Sequence, residues 1–85
     1  MTAVELTILG KPECHLCDVA SDVIDGVLID LGSRIEVDVQ KRSILDDPQL
    51  QERYHDLIPV ILVNGVEHTH WRVDPVALRA ALLEA

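Results

Sequence analysis

Eight apolar residues, Leu16, Val19, Ala20, Val23, Ile24, Val27, Leu28 and Leu31, recur at three- and four-residue intervals. That spacing draws one stripe along a long amphipathic helix. Asp18, Ser21, Asp22, Asp25 and Asp30 fall off the stripe, and Gly32 stands where helices commonly stop. A helix with a single apolar side must lay that side against something, so the rest of this 85-residue chain has to supply a cover. Directly upstream, Val4 to Leu9 is β-rich and almost wholly apolar after Glu5, as in a strand covered on both faces. Gly10-Lys11-Pro12 then breaks the strand before the helix begins.

The remaining elements follow from alternation, caps and breakers. From Arg34 to Val39 the apolar Ile35, Val37 and Val39 alternate with Glu36 and Asp38, which predicts a strand exposed on one side, near a sheet edge. Asp47-Pro48 reads as an N-cap and first helical position, with Leu50, Tyr54 and Leu57 continuing a short helix. Pro59 heads the strand Val60-Ile61-Leu62-Val63, a position where proline is tolerated. Asn64-Gly65 is a strong hairpin signal and joins that strand to one running from Val66 to Trp71. Asp74-Pro75 opens a closing helix through Val76, Ala77, Leu78, Ala80, Ala81, Leu82 and Leu83. The order βαβαββα makes this an α/β chain: a first βαβ unit with parallel strands, then antiparallel ones, in a mixed four-stranded sheet with helices on both faces. With no linker, repeat or low-complexity stretch, residues 1–85 are expected to form a single domain.

The core has to be aliphatic. Val, Leu and Ile occupy 30 positions, Phe is absent, and Tyr54 and Trp71 are the only aromatic residues. Seven basic against fifteen acidic residues give a net charge of −8, which repels phosphate backbones and anionic lipid headgroups, so neither nucleic acid nor a membrane is an expected partner. The longest apolar run, through Ile58-Pro59-Val60-Ile61-Leu62-Val63, falls far short of the roughly 20 residues a spanning helix needs. Met1-Thr2-Ala3-Val4-Glu5 lacks the marks of a secretory leader, and a cytoplasmic location is expected. There, two cysteines point to chemistry or metal rather than to a structural staple.

Those cysteines form Cys14-His15-Leu16-Cys17, after the first strand and at the opening of the long helix. Positions i and i+3 share a helix face, close enough for two sulfurs to bond with little rearrangement. Free N–H groups and the positive end of the helix dipole favour a thiolate at the first position. Cys14 is therefore the expected attacking thiol, and Cys17, one turn inside and more buried, the resolving one. Lys11 and a protonated His15 favour the Cys14 thiolate, while Glu13 and Asp18 oppose it.

The run Thr7-Ile8-Leu9-Gly10-Lys11-Pro12-Glu13-Cys14-His15-Leu16-Cys17, with Ile58-Pro59-Val60 and Val63-Asn64-Gly65 downstream, resembles the small glutaredoxin-like members of the thioredoxin superfamily. The resemblance covers nearly the whole chain. It implies a thioredoxin-like fold, a redox-active Cys14–Cys17 disulfide, and a cis Pro59 facing the cysteines. It implies further that Ile58 offers its backbone to an extended substrate and that Lys11 supports both the thiolate and a glutathione carboxylate. The chain departs from glutaredoxins in carrying His15-Leu16 where they usually have Pro-Tyr, and Thr69-His70-Trp71-Arg72-Val73 before Asp74 where they have Gly-Gly.

The expected function is thus a dithiol thiol-disulfide oxidoreductase, a monomer that acts on protein or low-molecular-weight disulfides and is restored by a thiol reductant. No cofactor is expected beyond glutathione as a co-substrate. The alternatives are a thioredoxin-fold module that binds zinc or acts as a redox sensor. His68 and His70, two apart on a strand, could join the cysteines in a tetrahedral site, although two solvated histidines are the simpler reading. Asp18, Asp22 and Asp25 read as a wet helix face, Lys41, Arg42, Arg53 and Arg72 as scattered surface cations, and Tyr54 and Trp71 as packing.

Overall fold

The computed structural model describes residues 3–85. Met1 and Thr2, the start of the segment read above as carrying no secretory leader, lie outside the described residues. Strand β1 (Val4–Gly10) is followed by helix α1 (His15–Leu31), β2 (Val37–Ser43), α2 (Pro48–Tyr54), β3 (Val60–Val63), β4 (Val66–His70) and α3 (Pro75–Glu84). This is the βαβαββα order read from the sequence. The sheet runs β2-β1-β3-β4, with β1 and β2 parallel and the other pairs antiparallel.

Strand β1 sits inside the sheet and serves two cores by alternation. Val4, Leu6 and Ile8 pack with Ile24, Val27 and Leu31 of α1, Ile61 of β3, and Leu78 and Leu82 of α3. Leu9 points into a smaller cluster with Ile44, Tyr54, Ile58 and Val60. Helices α1 and α3 therefore cover one face and α2 the other, which explains the nearly unbroken apolar character of β1.

Element boundaries moved where long-range pairing overrode local pattern. The chain passes through a 3₁₀ turn at Gly32–Arg34, and β2 runs from Val37 to Ser43 rather than from Arg34 to Val39. Its register against β1, Val4↔Val37 through Gly10↔Ser43, sets those limits. Gln40, Lys41 and Arg42 are accommodated because β2 is an edge strand. Helix α2 stops at Tyr54, and Leu57 belongs to the following turn, where its N–H donates to the Tyr54 carbonyl. Strand β4 ends at His70, because Trp71 turns away with φ 65°.

The caps fall where the sequence puts them. Asp47 accepts from the Gln49 N–H, and Asp74 from those of Val76 and Ala77, each with proline at the first helical position. At the hairpin, Asn64 (φ 51°) and Gly65 (φ 81°) both take left-handed backbone, as a tight two-residue turn requires.

Candidate active site

Between β1 and α1 the chain reverses over Lys11, Pro12 and Glu13, and Glu13 has φ 59°. A non-glycine residue pays roughly 1–2 kcal/mol for that conformation, so the surrounding structure must hold it. The turn delivers Cys14 in extended backbone as the N-cap of α1. Its Sγ accepts from the Cys17 N–H at 3.2 Å, and its carbonyl accepts from the Asp18 N–H at 3.1 Å. Cys14 and Cys17 are joined by a disulfide across a Cα separation of 5.2 Å, within the usual range for such bonds. Both are partly buried against the smaller core cluster, so position on the helix separates them more than depth does.

Gly10 is a site residue that the sequence reading treated only as a breaker. It is the last residue of β1, buried, and paired with Ser43 of β2. A Cβ placed there would lie 2.9 Å from Cys17 Sγ and 3.3 Å from Cys17 Cβ. The glycine lets the strand end pass directly against the second cysteine. A glycine at the end of an apolar strand run, just ahead of the Cys-x-x-Cys segment, was the available signal.

A second loop approaches through the same cluster. The Ile58–Pro59 peptide bond is cis, and both residues are buried. The β1–β3 ladder ends at Leu9↔Val60, which leaves Ile58 outside it. Trp71 braces this loop at two points: its backbone N–H donates to the Pro59 carbonyl at 2.9 Å, and its indole Nε1–H donates to the Asp56 carbonyl at 2.8 Å. The sequence reading assigned Trp71 to packing, yet the ring is about half exposed and its work is hydrogen bonding.

The other candidates are distributed as follows. Lys11 is exposed on the turn before Cys14 and lines a cleft with Cys17, and His15 is exposed as the first residue of α1. His68 and His70 have different surroundings. The β3–β4 register slips between Ile61 and Leu62, where His68 falls, while His70 lies 3.4 Å from Glu67 and edge-on to Trp71. Among the described residues, no group of three or more metal-ligating side chains comes together. No helix among them is long and apolar enough to cross a membrane.

Known proteins resemble this chain in sequence and in fold. An uncharacterized protein of Mycobacterium bovis is 28% identical over 81 residues, covering 94% of this chain and 84% of its own length. An X-ray structure of a structural-genomics target protein, XcR50 from X. campestris, superposes with a TM-score of 0.73 at 29% identity, over 94% of this chain and 97% of the other. A thioredoxin-2 described as a component of malaria parasite protein secretion machinery superposes with a TM-score of 0.68 at 17% identity, over 98% and 84% of the two chains, a likeness of fold alone. The architecture is thioredoxin-like, and its Cys14–Cys17 pair in the disulfide state is consistent with redox activity. Residues 5–83 match the glutaredoxin-like domain (DUF836), and the chain belongs to that family.

Proposed function

We propose that this chain is a dithiol thiol-disulfide oxidoreductase. The observation that carries the reading is the disulfide at the start of α1, with Cys14 as the helix N-cap. Once the pair is reduced, the free N–H groups and the helix dipole favour a thiolate at Cys14, with Lys11 and His15 tuning it. That thiolate attacks one sulfur of a substrate disulfide. A Cys14–substrate disulfide forms, and the departing sulfur leaves as a thiolate that takes up a proton. Cys17, losing its proton, then attacks Cys14 Sγ and releases the second substrate thiol. The Cys14–Cys17 disulfide is restored, and the substrate has gained two electrons and two protons. An external thiol reductant, for which glutathione is a candidate co-substrate, returns the pair to the dithiol.

Ile58 and Pro59 form the substrate-binding edge in this reading, since Ile58 lies beyond the end of the β1–β3 ladder and its loop is braced by Trp71. Substrates are protein or low-molecular-weight disulfides, met by a monomer in the cytoplasm. The test is to equilibrate the protein in graded dithiol/disulfide buffers, trap free thiols and weigh it, with metal content measured alongside. A reversible two-hydrogen mass change at a physiological potential is expected. No change, or one equivalent of zinc per chain, overturns the reading. Cys14→Ser abolishes turnover in a disulfide-reduction assay, whereas Cys17→Ser accumulates the mixed disulfide, visible as an adduct by mass.

A further inference from the structure

Helices α1 and α3 share one face of the sheet, and two hollows follow the outer seam between them. One, of about 310 Å³, has Leu16, Val19 and Val23 of α1 in its walls, with Trp71 and Val73 from ahead of α3. The next, of about 410 Å³, has Val23, Gly26 and Val27 of α1 opposite Pro75 and Val76 of α3. Val23 belongs to both, so the hollows form one apolar trough. Leu16 stands between Cys14 and Cys17, which starts the trough at the disulfide, and at its other end Asp30 accepts from Arg79 Nε at 2.9 Å.

Single exposed apolar side chains are ordinary on a protein surface, whereas a contiguous set marks a contact. Leu16, Val19, Trp71 and Val76 are each at least 45% exposed, and all four border the trough. No acidic residue lines the part beside the disulfide, in a chain that carries fifteen. Gly26 adds an independent observation. It is exposed in the interior of α1, where glycine weakens a helix relative to alanine. Its φ is not positive and a Cβ there meets nothing within 4 Å, so neither backbone freedom nor close packing calls for a glycine. What the missing side chain provides is an unfilled wall in the trough.

We propose that the trough receives the polypeptide flanking the reactive cysteine of a protein disulfide substrate, its bulky aliphatic side chains seated against α1 and Trp71. The proposal rests on the thiol-exchange reading, which supplies the tether: in the mixed disulfide the substrate chain is bonded to Cys14 Sγ and lies over the surface beside it. From Leu16 to Gly26 the helix climbs roughly 15 Å, which an extended chain covers in about five residues. The substrate class is therefore an extended segment with Leu, Ile or Val within about five positions of its cysteine.

Trp71 is the only tryptophan and borders the trough, so its emission reports occupancy. Titration of the oxidised protein with a short peptide, serine in the cysteine position and leucines on its flanks, tests the trough without thiol chemistry. A saturable change is expected, and none with serines on the flanks. Gly26→Gln fills the trough and weakens binding about tenfold, the loss expected when one aliphatic side chain is no longer buried, without lowering the melting temperature. Val76→Ser on the opposite wall weakens it as well, whereas Ile29→Asn, exposed on α1 outside the trough, leaves it unchanged. With cysteine restored and each peptide disulfide-linked to its own copy, kcat/KM is about tenfold higher for the leucine peptide, and Gly26→Gln removes that advantage. Turnover of 2-hydroxyethyl disulfide by the parent protein separates the two readings. If it is absent, thiol exchange falls and the tether with it; if it is present but the peptides are not distinguished, the trough alone is overturned. Equal binding of both peptides, undiminished binding in Gly26→Gln, or Trp71 emission that changes with protein concentration alone, which seats a second copy there, also overturns the proposal.

Discussion

At position 10 the chain carries a hydrogen atom where any other residue would put a carbon. Because a Cβ there would stand 2.9 Å from Cys17 Sγ, Gly10→Ala forces either β1 or the first turn of α1 to shift. Overpacking of this kind costs about 1–3 kcal/mol, and the expected result is a lower urea midpoint for the oxidised protein at unchanged slope. An unaltered midpoint would show that Cys17 moves aside freely. Gly10 has no positive φ, so its role is close approach and not backbone freedom. Glu13 and Trp71 are the opposite case: residues with side chains held in left-handed backbone, Trp71 by hydrogen bonds at both its backbone and its ring.

At the scale of elements, the β3–β4 hairpin shows what a local motif contains and what it omits. Asn64-Gly65 specifies the tight turn, but Asn64 also binds β1: its Oδ1 accepts from the Glu5 N–H at 2.9 Å, and its own N–H donates to the Glu5 carbonyl at 2.8 Å. Asn64→Gly keeps the turn and loses the side-chain bond, at about 1 kcal/mol. Asn64→Ala loses the bond and strains the positive φ as well, at about 2 kcal/mol or more. Chemical denaturation of both variants checks the order, and equal losses would mean that the positive φ at position 64 costs alanine nothing beyond the lost bond. The stripe of α1 was similarly legible in period but not in extent. Its first residues, Leu16 and Val19, remain 45% exposed, while Ala20, Ile24, Val27 and Leu31 are the ones buried.

Across the molecule, stability rests on burial of aliphatic side chains, with no buried polar or charged side chain among the described residues. Ile24 lies on the same stripe as Val19 but is completely enclosed by β1, β3 and α3 partners. Ile24→Ala is expected to cost about 2–5 kcal/mol, a severe loss for a domain of this size. Val19→Ala should stay within roughly 0.5 kcal/mol. Thermal or urea unfolding separates the two. Comparable losses would mean that the N-terminal part of the stripe is covered in solution.

Periods, breakers and caps depend on residues a few positions apart, and these were readable along the chain: seven elements in order, the Asp47 and Asp74 caps, the Asn64-Gly65 turn and the Cys14-x-x-Cys17 segment at a helix start. Other features depend on residues far apart in sequence. Strand β2 took its limits from pairing with β1, Gly10 met Cys17 across a strand end, and Trp71 reached back to Asp56 and Pro59. Lys41 and Arg42 look like scattered surface charges in one dimension. The parallel β1–β2 register sets Lys41 beside Ile8 and Arg42 beside Leu9, on opposite faces of the sheet, because a backbone ladder alternates its side chains whatever their charge.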